Sequence, residues 1–186
     1  MPTPLLVVLV VLAIAVLAVI VLYNRLVRAR VRADQAWAQV DTQLQRRHDL
    51  LPNLVTTVRA YASHERATLD AVTAARSAAL AVRDPSARAA VEDELSEQVG
   101  RLLLLAEAYP ELQADQGFQA LASELSATED RLAFARGFAN DRVRRYRELI
   151  TTFPGVLVAR PFGFRDRPMF DADGGAARAP RVDLES

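Results

Sequence analysis

Arg46-Arg47-His48-Asp49-Leu50-Leu51-Pro52-Asn53 is the stretch whose reading decides how this chain folds. Apolar residues flank it at helical spacing. Ala33, Trp37, Val40 and Leu44 precede it; Leu54, Val58, Tyr61, Leu69 and Val72 follow it. Pro52 lacks a backbone N–H. It kinks or ends a helix from inside but is tolerated in the first turn of a new one. A single helix from Tyr23 to Ala81 would be about 90 Å long, more than the later helical segments are expected to cover. The stretch therefore predicts a chain reversal between His48 and Asn53, with Asp49 as the N-cap of the helix that follows.

Working outward, the next boundary is Asp84-Pro85-Ser86, a capping acid before Pro at a first helical position. Glu92, Asp93 and Glu94 load the early turns of this third helix with the charge its dipole favours. Val91, Leu95, Val99, Leu102, Ala106 and Tyr109 form its stripe, and Pro110 closes it. A fourth helix is expected from about Gly117 to Thr152, with Phe118, Leu121, Leu125, Thr128, Leu132, Ala135, Ala139, Tyr146 and Ile150 on one face. From Pro154 on, Pro and Gly interrupt any regular element. Val156 to Val158, Phe162, Phe164 and Phe170 remain able to dock, and the last dozen residues read as a disordered tail.

At the other end, Leu5 to Leu22 is 18 residues of Leu, Val, Ile and Ala alone. As a helix it is about 27 Å long, close to the roughly 30 Å of a bilayer's hydrocarbon core. Tyr23 suits the headgroup level. Arg25, Arg28, Arg30 and Arg32 follow, and no basic side chain precedes the run. This asymmetry predicts a retained single-pass anchor with a short N-terminus outside and the rest cytoplasmic.

All 23 basic residues are Arg and are balanced by 23 acids. The lack of Lys excludes Schiff-base chemistry and a P-loop lysine. The lack of Cys excludes disulfides and thiolate chemistry. Zero net charge gives no global field for nucleic acid. The sequence thus predicts an all-α chain: anchor 1–24, an antiparallel up-and-down four-helix bundle 25–153 with coiled-coil-like spacing, and an irregular, partly docked tail 154–186.

The segment Arg46 to Val55 resembles the signature of the LemA family. So do Tyr61 with His64-Glu65, Val72 with Ala75-Arg76, and Ala106 to Pro110. Further matches are Phe118 with Leu121, Glu124-Leu125, Glu129, Ala135-Arg136, Phe153-Pro154 and Phe162-Gly163-Phe164. The departures are Ala139, where members usually carry Tyr before Asn140, and Arg147, where a second Asn is common after Tyr146. The resemblance implies a bacterial membrane-anchored protein with an antiparallel helical bundle and no established activity; with the Arg asymmetry, the expected location is the inner membrane.

Arg46, Arg47, His48, Asp49, Pro52 and Asn53 are therefore expected in a signature turn far from the membrane, with His48 bonded locally. Glu65, Arg76, Glu129 and Arg136 lie on or near apolar stripes and are expected as an interhelical polar network, Glu65 and Glu129 at similar height. Arg25, Arg28, Arg30 and Arg32 begin the first helix; Arg142, Arg144, Arg145 and Arg147 end the fourth. The antiparallel route brings both sets to the membrane end as a candidate surface for anionic lipid, worth about 1 kcal/mol per residue near headgroups. Tail residues Arg160, Arg165 and Arg167 extend it if Phe162 and Phe164 dock. No catalytic motif, metal set or cofactor motif is present, so a noncatalytic membrane-associated scaffold or partner-binding module is the leading expectation. The membrane and an unidentified protein are its expected partners, and a homo-oligomer is compatible with the sequence. The alternative is a metal-dependent or hydrolytic accessory enzyme built on His64, Glu65 and Glu129.

Overall fold

The computed structural model describes residues 3–170. They form α1 (Thr3–Tyr61), α2 (Arg66–Ala81), α3 (Pro85–Ala106), α4 (Pro110–Ala114), α5 (Gln116–Thr151) and α6 (Gly155–Ala159), with no strand among them. The expected reversal at His48 to Asn53 does not occur. Pro52 lies inside α1, which runs unbroken for 59 residues, about 88 Å. Asp49 is a helix-interior residue accepting from Gln45 Nε2 at 2.8 Å, not a cap. The first reversal is the link Ala62 to Glu65. The four main helices are therefore unequal, at 59, 16, 22 and 36 residues.

Two facts explain the long helix. The first is α5, about 54 Å long, which runs antiparallel along α1 beyond the apolar run. At one end Tyr61 Oη donates to Asp115 Oδ2 at 3.1 Å. At the other, Leu26 shares a core with Val143, Tyr146 and Ile150. The second is Pro52 itself. In a helix its N–H would have bonded the carbonyl four residues back, His48 O. That oxygen accepts instead from Arg76 Nε of α2, at 2.7 Å. A neighbouring helix supplies the donor that proline lacks.

The shorter helices occupy only the far part of α1. Arg88 of α3 pairs with Asp41 at 2.6 Å, and Tyr109 Oη donates to Glu65 at 3.3 Å, so α2 and α3 span from about Asp41 to the far end. Asp84 precedes Pro85 as expected, and Arg88 N donates to its carbonyl. The α2–α3 turn near it, however, stays about 28 Å along α1 from Leu22, not at the anchor end as the equal-helix route required. Pro110 does more than end α3: it sits in the first turn of α4. Asp115 caps α5, its Oδ1 accepting from Phe118 N at 2.7 Å.

Burial follows this division. The far core joins Leu51, Leu54, Val58, Leu69, Val72, Leu95, Val99, Leu102, Leu112 and Leu125. Nearer the anchor the α1–α5 seam passes through Ala33, Ala36, Ala135 and Ala139 before reaching Leu26, Val143, Tyr146 and Ile150, and chain after α5 covers it. The turn into α6 contains a cis Phe153–Pro154 bond. Gly155 permits close packing there, because a Cβ would lie 2.0 Å from Leu149 O. Gly163, at φ +69°, occupies the left-handed region. Phe170 is buried against Trp37, with ring centroids 5.7 Å apart, and its N–H donates to Asn140 Oδ1 at 2.8 Å. Phe162 and Phe164 both dock, edge-on to Tyr23. The expected disordered end lies outside the described residues.

Candidate functional site

Two polar assemblies stand out, one buried and one open. The buried one centres on Arg47, fully enclosed although charged. Its Nη2 pairs with the Glu92 carboxylate and reaches Glu92 O at 3.3 Å. Its Nη1 donates to Ser96 Oγ at 2.7 Å and to Glu129 Oε1 at 3.1 Å. His48 Nε2 contacts the other Glu92 oxygen at 3.0 Å. With Arg76 on His48 O, this one cross-section ties α1 to α2, α3 and α5. Burial works to raise the Glu92 pKa, but the His48 hydrogen bond and the Arg47 charge outweigh it and hold the carboxyl below its ordinary value.

His48 is thus a buried helix residue, not a turn residue. Of the expected network, Glu129 and Arg76 enter this cross-section, while Glu65 and Arg136 do not. Glu65 accepts from Tyr109 at the far end, so it lies about 20 Å along α1 from the level of Glu129, not at similar height. Arg136 reaches Asp93 at 3.2 Å and stacks over Phe170 at 4.2 Å. Arg46 pairs with Glu124 on the surface, and Asn53 is exposed. His64 lies in the exposed α1–α2 turn beside Glu65, remote from Glu129.

Sequence reasoning missed Glu92 and Ser96. A signal for Glu92 existed: it stands in register with Leu95, Val99, Leu102 and Ala106, spaced three, four, three and four apart. Arg47 likewise falls in the seam of Val40, Leu44, Leu51, Leu54 and Val58. A charge on an apolar seam needs a buried partner of opposite sign.

The open assembly is a groove of about 730 Å³ between α1 and α5 at the anchor end. Arg25, Arg28 and Arg32 line it from one side and Arg142, Arg145 and Glu148 from the other. Arg145 shares Asp141 with Arg144, at 2.9 and 2.6 Å, and Arg142 stacks over Phe138 at 4.5 Å. Arg25, Arg28, Arg32 and Arg142 have no ion pair among the described residues. Arg30 and Arg147 turn toward the tail instead. Arg30 lies over Phe164 at 5.4 Å, and Arg147 pairs with Asp166 at 2.9 Å. Arg167 is drawn to Asp34 at 3.1 Å. The eight candidate arginines therefore sort into groove-lining, tail-binding and, for Arg144, solvent-facing members.

The LemA sequence pattern matches residues 36–184, which hold the buried cross-section, the groove's α5 side and the docked tail. The chain belongs to the LemA family. Among curated proteins there is no match. In this LemA-family protein the apolar stretch at the head of α1 reaches a mean hydropathy of 3.7 over its best window, none of it covered by the rest of the chain. Together with the family match it points to a membrane anchor.

Proposed function

We propose that this LemA-family protein is a noncatalytic, membrane-anchored scaffold or partner-binding module at the cytoplasmic face of a bacterial inner membrane. In this reading α1, α2, α3 and α5 act as an antiparallel four-helix bundle held close to anionic lipid. The observation that carries it is the arginine groove. Five guanidinium groups from two helices converge, with Glu148, beside the end of the apolar run. Anionic headgroups favour such a cluster electrostatically, and the attraction weakens with salt because screening acts over about 8 Å at physiological ionic strength. Arginine also binds phosphate through two parallel N–H donors.

Native mass spectrometry of the full chain released from mixed bilayers tests the lipid contact. Phosphatidylglycerol is expected to stay bound in preference to phosphatidylcholine. Replacing Arg25, Arg28, Arg32, Arg142 and Arg145 with Gln is expected to abolish the preference without unfolding the helices. Equal retention by that variant refutes the lipid contact and leaves the protein-partner reading, which crosslinking in membranes addresses. Digestion of α2 to α5 by protease added to right-side-out cells refutes the cytoplasmic orientation.

A further inference from the structure

The corner between α5 and α6 lies beside the last turn of the apolar run. Leu22 and Leu26 of α1 share a cleft with Leu149, Phe153 and Gly155. One face of α6 is anchored there, since Val158 and Ala159 are buried with Leu26 and Ile150. Large apolar side chains around α6 stay exposed: Phe153 just before it by 79%, Leu157 on it by 64% and Phe162 just after it by 57%. Phe162 rests edge-on against Tyr23 at 5.1 Å, and Tyr23 directly follows Leu22. If a bilayer encloses Leu5 to Leu22, its hydrocarbon boundary passes through this corner. Exposed Arg25 lines the same cleft, and exposed Arg160 directly follows α6. Their stems are long enough to follow apolar surface while the guanidinium groups reach headgroups.

We propose that the α5–α6 corner is a second membrane contact, with Phe153, Leu157 and Phe162 inserted beside Tyr23 into the interface of the bilayer that α1 spans. An apolar tip flanked by arginines is the composition of an interfacial membrane-binding segment. Continuity with the anchor selects lipid as the occupant. The contact rests on the anchor reading of α1 but not on lipid binding in the arginine groove. It fastens α5 as well as α1 to the bilayer, so the long α1–α5 rod is held at two points. Gly155 is a structural condition of the corner, because any side chain there meets the Leu149 carbonyl.

The test uses the full chain in neutral phosphatidylcholine bilayers carrying bromine on the acyl chains near the headgroup. The one natural Trp is removed by Trp37→Phe, and single tryptophans are introduced as Phe153→Trp, Leu157→Trp, Tyr23→Trp and Phe134→Trp. Phe134 is 75% exposed on α5 remote from the corner. The first three variants are expected to lose emission severalfold to brominated lipid and to resist aqueous iodide, with the Phe134 variant showing the reverse. If the Tyr23 variant is quenched by lipid while the Phe153 and Leu157 variants are quenched only by iodide, the corner proposal is overturned and the anchor stands. If the Tyr23 variant also escapes lipid quenching, the anchor reading falls with it. In the Phe153→Trp chain, adding Gly155→Val is expected to remove lipid quenching at 153 and to preserve it at Tyr23→Trp in a parallel chain. Persistent quenching at 153 overturns the role given to Gly155.

Discussion

Beyond Asp41, α1 packs with α2, α3, α4 and α5; between Leu22 and Asp41 it has α5 and the docked tail. The far region buries large aliphatic side chains and encloses Arg47, Glu92 and His48. The near region joins a short seam of alanines to a small core of Leu26, Val143, Tyr146 and Ile150, with Phe164 and Phe170 sealing its sides. The difference follows from the number of helices available. Several helices enclose enough volume for leucines and for a paired charge. Two helices pack directly where alanines face each other, and larger residues such as Leu26 and Tyr146 need a third layer, which comes from irregular chain. The far region holds buried charges, Arg47 and Glu92, bonded across helices. In the near region charge is solvent-facing, where single ion pairs contribute only about 0–1 kcal/mol.

The two regions should respond most differently to the loss of Arg47. Arg47→Met leaves Glu92 buried without its guanidinium, a loss of about 3–5 kcal/mol. Hydrogen exchange on the full chain in detergent is expected to show α2 and α3 losing protection while amides around Leu26 and Ile150 keep most of theirs. Uniform loss throughout would mean the two regions unfold as one.

Phe170→Ala is the counterpart in the near region. Deleting a buried aromatic ring costs about 3 kcal/mol or more. Trp37 is the chain's only tryptophan and touches Phe170, so its emission is expected to shift to the red as water reaches it. An unchanged spectrum would show that residues up to 170 do not seal this seam.

The contact between Arg76 and His48 O carries a smaller effect. Arg76→Met is expected to cost about 1.5–3 kcal/mol, the range for hydrogen bonds to charged groups. In a Pro52→Ala background the alanine N–H serves His48 O, so the same change should cost distinctly less. A double-mutant cycle on thermal unfolding reads the coupling. Strict additivity would refute the pairing of Arg76 with the proline defect.

Acidification is expected to produce the mildest effect. The Glu92 pKa is lower folded than unfolded, so its contribution is fully present above the ordinary value of 4.5 and fades as pH falls through the folded value. Thermal midpoints should therefore decline below about pH 4.5, and less steeply in Glu92→Gln. Identical slopes would remove Glu92 from the acid response.

The sequence carries the all-helical class, the apolar anchor candidate and most of the core. Those properties are carried by composition and by spacing of three and four. Val40, Leu44, Leu54, Val58, Leu95, Leu102, Leu125 and Tyr146 are all buried. It also placed arginines from α1 and α5 at the anchor end, because an antiparallel return dictates which termini meet. The first reversal was not legible. Pro52 looked like a breaker because its defect is local, whereas the remedy, Arg76, lies 28 residues away in the contact it makes with His48 O. The link that does reverse the chain, Ala62 to Glu65, contains neither Pro nor Gly. Only tertiary packing of Leu69 and Val72 back onto Leu54 and Val58 marks it. For the same reason Glu92 read as a helix-dipole charge: its register on the apolar seam was visible, but which side chain would neutralise it depended on α3 meeting Arg47. A hydrophobic period states that a position is covered, and only the fold decides what covers it.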